Sequence, residues 1–159
     1  MRKQYLASTV MAAMIMVPTG SRSTTAPAGY VPGLGEFMSA TQMRHSKLWF
    51  AGQAGNWALA AYELDEIKEG FADITRYHPT HPGSPIPIRE VLPKLMAPTL
   101  ARLQVAISSQ NLEKFDEAFD SLTASCNACH QAENVGFNVI TRPSGNPYTN
   151  QNFSPASAP

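Results

Sequence analysis

A chain of 159 residues fits one domain of ordinary size. Its content of 43% hydrophobic and 15% charged residues excludes a wholly disordered or collagen-like chain, and equal numbers of basic and acidic residues, twelve each, argue against a binder of nucleic acid or another polyanion. Only two cysteines occur, Cys126 and Cys129, which excludes a disulfide-rich scaffold and a self-contained four-cysteine zinc site.

The first 28 residues have the three parts of a secretory signal peptide: a basic start at Arg2 and Lys3, an apolar run of 13 residues from Tyr5 to Val17, and a small-x-small exit, Ala26-Pro27-Ala28. That run is shorter than the roughly 20 residues of a membrane-spanning helix, so cleavage after Ala28 or Ala26 is expected in place of a permanent anchor. No cysteine lies near the exit, so a lipid anchor has no support. Removing Arg2, Lys3 and Arg22 leaves 9 basic against 12 acidic residues. The exported chain is thus expected to be mildly acidic, at about −3, free of a membrane span and located in a periplasm.

Residues 29–133 are expected to form a helical domain, and residues 134–159, rich in Pro, Asn, Ser and Thr, an extended tail. The first helix is placed at about 35–53, where Phe37, Met38, Thr41, His45, Leu48, Trp49 and Gly52 share one face while Met43 and Phe50 fall on the other, with Met43 exposed. Gly52 and Gly55 read as the turn that follows, since Gly52-Gln53-Ala54-Gly55 lacks the lysine and strand context of a phosphate loop. In the second helix Trp57, Ala60, Leu64, Ile67, Phe71 and Ile74 alternate three and four apart, with Asn56 as N-cap and Pro79 past the end.

Residues 78–87 hold four prolines and read as a crossover loop. The third helix carries Val91, Leu92, Leu95, Met96, Leu100, Leu103 and Ile107 inward, although Pro93 and Pro98 must kink or split it. Leu112, Phe115, Phe119, Leu122, Cys126 and Cys129 form the seam of a fourth helix that ends at the cysteines. Short turns make the first and second helices antiparallel, and likewise the third and fourth. The fold class is therefore all-α, an antiparallel four-helix bundle.

Cys126-Asn127-Ala128-Cys129-His130 is a C-x-x-C-H motif, the attachment pattern of c-type haem. On a helical turn the thiols at i and i+3 lie on one face, where they can form thioethers with the two vinyl groups of one haem, and His130 can then supply the proximal bond to iron. A redox disulfide or a metal site are the alternatives. The first usually sits after a strand at a helix start, and a zinc site would need two more ligands. His78 and His81 form an H-x-x-H in the proline loop, a weaker metal pattern without a neighbouring carboxylate.

With these residues the chain resembles the class II cytochromes c, the cytochrome c-prime group, a four-helix bundle with C-x-x-C-H near the end of the last helix. Phe115-Asp116-Glu117-Ala118-Phe119 through His130 looks like that family's final helix, and the layout is similar over about residues 35–133. The prolines of the third helix and the long tail depart from the family pattern. Gln42 to Gly52, with Asn56-Trp57, also looks similar to a separate group of small exported monohaem cytochromes. The class II resemblance implies haem attached near the carboxyl end of the last helix and a homodimer through the first two helices, to which Met43 and Phe50 would offer an outer apolar face.

The same resemblance places any distal iron ligand on the first helix, where Met38 and His45 are the inward candidates. They stand seven residues, about 10 Å, apart along the axis. Aligning the closed ends at Gln53 and Asn111 puts the level of His130 near residue 39 and favours Met38; aligning the open ends puts it near residue 43 and leaves His45 open. Met38 is equally compatible with a role as core filler, and His45 with one as a hydrogen-bond donor at the haem edge. Arg44 and Lys47 are read as partners of haem propionates or as solvated, and Trp49, Trp57, Phe71, Phe115 and Phe119 as core walls. Saturating both axial positions suits single-electron transfer between redox partner proteins, without a catalytic residue; an open distal site suits a five-coordinate protein that binds nitric oxide or carbon monoxide.

Overall fold

Four helices make up the regular structure of residues 29–155, the residues described by the computed structural model: α1 (Leu34–Gln53), α2 (Trp57–Tyr77), α3 (Ile88–Ser108) and α4 (Leu112–Ala132). The signal-peptide reading of residues 1–28 and the last four residues of the chain lie outside the described part. No strand occurs among the described residues, and none of their helices is long and apolar enough to cross a membrane.

Local chemistry sets the helix ends. Asn56 and Asn111 both act as N-caps, their side-chain oxygens accepting from Leu59 N–H at 3.1 Å and Lys114 N–H at 2.8 Å. At Gly33 the Glu36 carboxylate reaches back to the backbone N–H at 3.0 Å. Helices α1, α3 and α4 end alike: a left-handed residue, Gly55, Gln110 or Asn134, is followed by an N–H that bonds back to the carbonyl of Ala51, Ala106 or His130. This is the Schellman closure, which satisfies carbonyls that a helix end would otherwise orphan.

α3 is one helix despite its prolines. Pro93 and Pro98 lie on its exposed side, as do Arg89 and Lys94, whose carbonyls lose their N–H partners to the prolines and face solvent. Of the expected kink or split, the split does not occur, because the missing donors fall on the exposed side of the helix.

The core is built from Leu48, Leu64, Ile67, Ile74, Leu92, Leu103, Phe115, Phe119 and Leu122, all essentially fully buried. Each contributes roughly 1.5–3 kcal/mol of apolar burial. Of the residues expected inward, Leu112 is 44% exposed, and Phe37, Met38, Thr41, Trp57, Leu95, Leu100 and Cys126 are half-buried. Glu63 sits in the α2 seam at 1% exposure, held by Arg44 of α1 at 3.1 Å, while the second arm of that guanidinium reaches Glu66 at 2.8 Å.

α1 packs along α2, α2 along α3 and α3 along α4, whereas α1 and α4 approach closely at few positions. One is Gly52, which lies buried inside α1 and not in the turn; a Cβ there would overlap the Phe115 ring, so the glycine serves close packing. Gly55, at φ +70°, makes the turn by itself.

Residues 135–155 follow the loose α1–α4 seam. Arg142 makes a two-pronged bond to Asp120, at 3.0 and 2.7 Å, and covers the Trp49 ring at 4.4 Å. Further on, Tyr148 O–H donates to the Met43 carbonyl, Phe153 packs on Phe50, and Asn56 Nδ2 donates to the Ser154 carbonyl. Met43 is accordingly half-buried and not exposed, and the outer α1 face that suggests a dimer is covered by the chain's own tail.

Candidate functional site

Cys126, Cys129 and His130 line one crevice at the open end of the bundle, where the start of α1 faces the end of α4. Two adjoining cavities of about 180 and 270 Å³ form it and share Gly35, Met38, Leu92, Cys129, His130 and Asn138. Phe71, Met96 and Ile140 wall the first, and Leu34, Ile88 and Val135 the second. All four helices and the tail thus contribute apolar surface.

The α1–α4 register decides which residues of the first helix reach this level. Gln53 donates to Asp116 at 2.6 Å, Gly52 meets Phe115, and His45 pairs with Thr123 at 2.9 Å. Carried two turns further, the same antiparallel register brings Met38 opposite His130, and Met38 lines both cavities. His45 borders only the inner one. It is 4% exposed, its ring packs against Phe119 at 4.4 Å, and the Thr123 hydroxyl that it meets already donates to the Phe119 carbonyl. His45 Nε2 must therefore be the donor. Burial lowers its pKa to about 4, so the ring is neutral near pH 7.

His130 is prepared differently. Its Nδ1 lies 2.6 Å from the Asn138 carbonyl, which can only accept, so Nδ1 carries a proton and the lone pair of the neutral ring falls on Nε2. That is the tautomer a metal-bound imidazole requires, with the backbone carbonyl as orienting partner.

The thiols are held neutral. Burial, assisted by Cys129, pushes Cys126 up to about 12, and burial followed by the Glu133 carboxylate pushes Cys129 up to about 11. Such thiols are poor thiolate nucleophiles, which weighs against a thiol–disulfide exchange site. Burial also raises the Glu133 carboxyl, whose two oxygens are enclosed without a hydrogen-bond partner, while His81 acts in the opposite sense. The crevice is therefore apolar, lined by groups that burial favours in their neutral forms, and equipped with two thiols and one imidazole lone pair. These residues fit a covalently attached haem: Cys126 and Cys129 would hold it, and His130 would bond its iron. No group of three or more His, Cys, Asp or Glu among the described residues is arranged to hold a metal ion on its own.

Several residues that the sequence suggests for the site point elsewhere in the fold. Arg44 is spent on Glu63 and Glu66, and Lys47 lies over the Tyr148 ring at 5.1 Å, so neither faces the crevice as a propionate partner. His78 Nε2 donates to the Pro32 carbonyl at 2.8 Å, which separates it from His81 in role. Of the aromatic walls only Phe71 lines the crevice; Trp49, Trp57, Phe115 and Phe119 cluster with one another toward the closed end. Asn138, Ile140 and Glu133 join the site without any mark in the sequence, since residues in an irregular segment or at a helix end carry no periodic signal. Asn127 is visible there only as a spacer within the motif.

No family model, curated protein or solved structure matches the chain.

Proposed function

We propose that the chain is an exported, periplasmic c-type cytochrome of the class II kind, carrying one covalent haem c and passing single electrons between redox partner proteins. The observation that carries this reading is the convergence of Cys126, Cys129 and His130 on one apolar crevice, with His130 Nδ1 committed to the Asn138 carbonyl at 2.6 Å. Haem, when bound, supplies one-electron iron chemistry. The chain's residues do the rest: Cys126 and Cys129 offer thiols for two thioethers, His130 offers Nε2 as the proximal ligand, and the Asn138 carbonyl keeps the Nδ1 proton in place. Phe71, Leu92 and Met96 exclude water from the crevice. Met38, level with His130, is the favoured distal ligand, and His45, engaged with Thr123, the alternative. A thioether from Met38 as a second iron ligand would favour ferrous iron and a raised potential, which suits a carrier.

A second reading rests on the same apolar lining. If Met38 only fills space, the haem would be left with an open, hydrophobic side, lined by Phe71, Leu92 and Met96, where it could take up nitric oxide or carbon monoxide.

The test is to mature the full chain in a host with a periplasmic haem-attachment system. Expected is one haem per chain that survives acid-acetone extraction and is lost when Cys126 and Cys129 are both replaced by alanine. Colourless protein, or pigment released by acid acetone, overturns the proposal. A low-spin spectrum indifferent to carbon monoxide, becoming high-spin in Met38→Ala, supports the carrier; a high-spin spectrum that responds to the gas supports the second reading.

A further inference from the structure

The irregular segment after α4 reaches the motif at two points: Asn138, whose carbonyl takes the His130 proton, and Ile140, whose backbone is bound on both sides by one side chain. Asn127 accepts from Ile140 N–H through Oδ1 at 2.8 Å and donates through Nδ2 to the Ile140 carbonyl at 2.8 Å. A single amide thus occupies both hydrogen-bonding groups of a backbone residue, as a neighbouring strand would. Asn127 and His130 are three apart on α4 and lie one turn from each other on the same face, so the two contacts are neighbours.

The side chains that flank Asn138 do little to hold the segment. Phe137 is 87% and Val139 63% exposed, so the placing of the Asn138 carbonyl depends on hydrogen bonds and on Ile140 entering the crevice. Asn138 N–H bonds to the Val135 carbonyl at 2.9 Å and Val135 N–H to the His130 carbonyl at 2.8 Å, which holds the near side of the turn to the end of α4 but leaves its far side, beyond Asn138, to other contacts. On that far side the tie back to the motif is Asn127, through Ile140.

We infer that Asn127, the first residue between the two cysteines, is a positioning residue: by clamping Ile140 it sets the Asn138 carbonyl to take the Nδ1 proton of His130, and so tunes the imidazole as an iron ligand. The inference rests on the haem-carrier reading and deepens it. A carbonyl that accepts from Nδ1–H makes the other ring nitrogen more basic and favours ferric iron. Releasing the clamp lengthens or breaks that bond, and the potential rises.

The test uses the full chain with ¹⁵N-labelled histidine, in the diamagnetic ferrous or carbon monoxide form, with the midpoint potential measured beside it. In the wild type the His130 Nδ1–H proton is protected and gives a resolved signal. In Asn127→Ala its exchange accelerates by about tenfold, the loss of roughly one net hydrogen bond, and the potential shifts positive. Asn127→Asp keeps the acceptor for Ile140 N–H, so exchange accelerates less than in alanine; it is judged on exchange alone, because its added negative charge by itself favours ferric iron. Alanine is favoured in a helix, and should that variant still fail to fold, exchange in the aspartate variant decides. Either readout at its wild-type value in folded Asn127→Ala, or wild-type exchange in Asn127→Asp, overturns the inference. The same label reports which nitrogen is protonated in a chain without haem, so a colourless preparation defeats the carrier reading while the clamp is still judged on the tautomer.

Discussion

At His45 a side chain that titrates near neutrality in water is enclosed between Phe119 and Thr123, and burial holds it neutral down to a pKa of about 4. An unfolded chain binds that proton near pH 6.5. Between those values the unfolded state carries more protons, so stability is fully present above pH 6.5 and is lost as pH falls toward 4, by about 3 kcal/mol from this residue. Urea unfolding of wild type and His45→Gln at intervals from pH 7.5 to 4 checks it: the amide still donates to Thr123, and the difference in slope over that window should vanish if His45 is not the titrating group. Gly52 shows the opposite kind of dependence, on shape alone. Its Cβ would enter the space of the Phe115 ring, which is fully buried and cannot retreat. Gly52→Ala is therefore expected to lose about 3 kcal/mol in thermal or urea unfolding, whereas a turn glycine without a close neighbour would lose far less. The spacing of apolar residues reveals that Gly52 lies on the inward face, but not that an aromatic ring fills its place. The motif at Cys126 to His130 is legible because its chemistry is compressed into five consecutive residues. The Asn138 carbonyl is not, because any residue type supplies a carbonyl.

The helix ends show why elements are easier to read than their partners. Asn56 announces its cap because a short polar side chain before an apolar repeat has few other uses there. The third helix is harder, since two prolines inside a period look like breaks until the exposed side of α3 is seen to absorb the missing donors. Nor does the sequence pattern show Glu63 as buried. A carboxylate at an inward position is ambiguous until a cation, here Arg44 on a different helix, is found within reach. Among the three closures, Gly55 occupies the left-handed position without penalty, Asn134 tolerates it, and Gln110, at φ +52°, has a β-carbon where only glycine is at ease. Gln110 is also exposed, so nothing is lost from the core by removing its side chain. Gln110→Gly is expected to stabilise the protein by about 1 kcal/mol, read as a higher urea midpoint at unchanged slope. An unchanged or lower midpoint would mean that the left-handed turn is not retained in solution.

At the scale of the molecule, the fold is three well-packed helix pairs and one loose seam, between α1 and α4, over which the tail is laid. The crevice lies beside the cysteines where that seam is loose, and the tail covers the rest. Composition points to an irregular tail but cannot say where it goes, because its contacts are single residues scattered over long intervals, Arg142 on Trp49, Tyr148 at Met43, Phe153 on Phe50. Phe153 distinguishes a docked tail from a loose one. It is 7% exposed, packed between Phe50 and Tyr148 at 5.6 and 6.3 Å, and next to the Ser154 carbonyl that accepts from Asn56. If the tail is part of the folded unit, Phe153→Ala loses about 3 kcal/mol on urea unfolding, the usual result for a buried phenylalanine. A side chain on a loose tail would change stability by less than about 0.5 kcal/mol. Hydrogen exchange separates the outcomes further, because a docked Phe153 means that its removal speeds exchange at the end of α1 around Phe50 while leaving α2 and α3 near Ile67 and Leu103 protected. Exchange at α1 identical in wild type and variant would show that the α1–α4 seam closes without the tail.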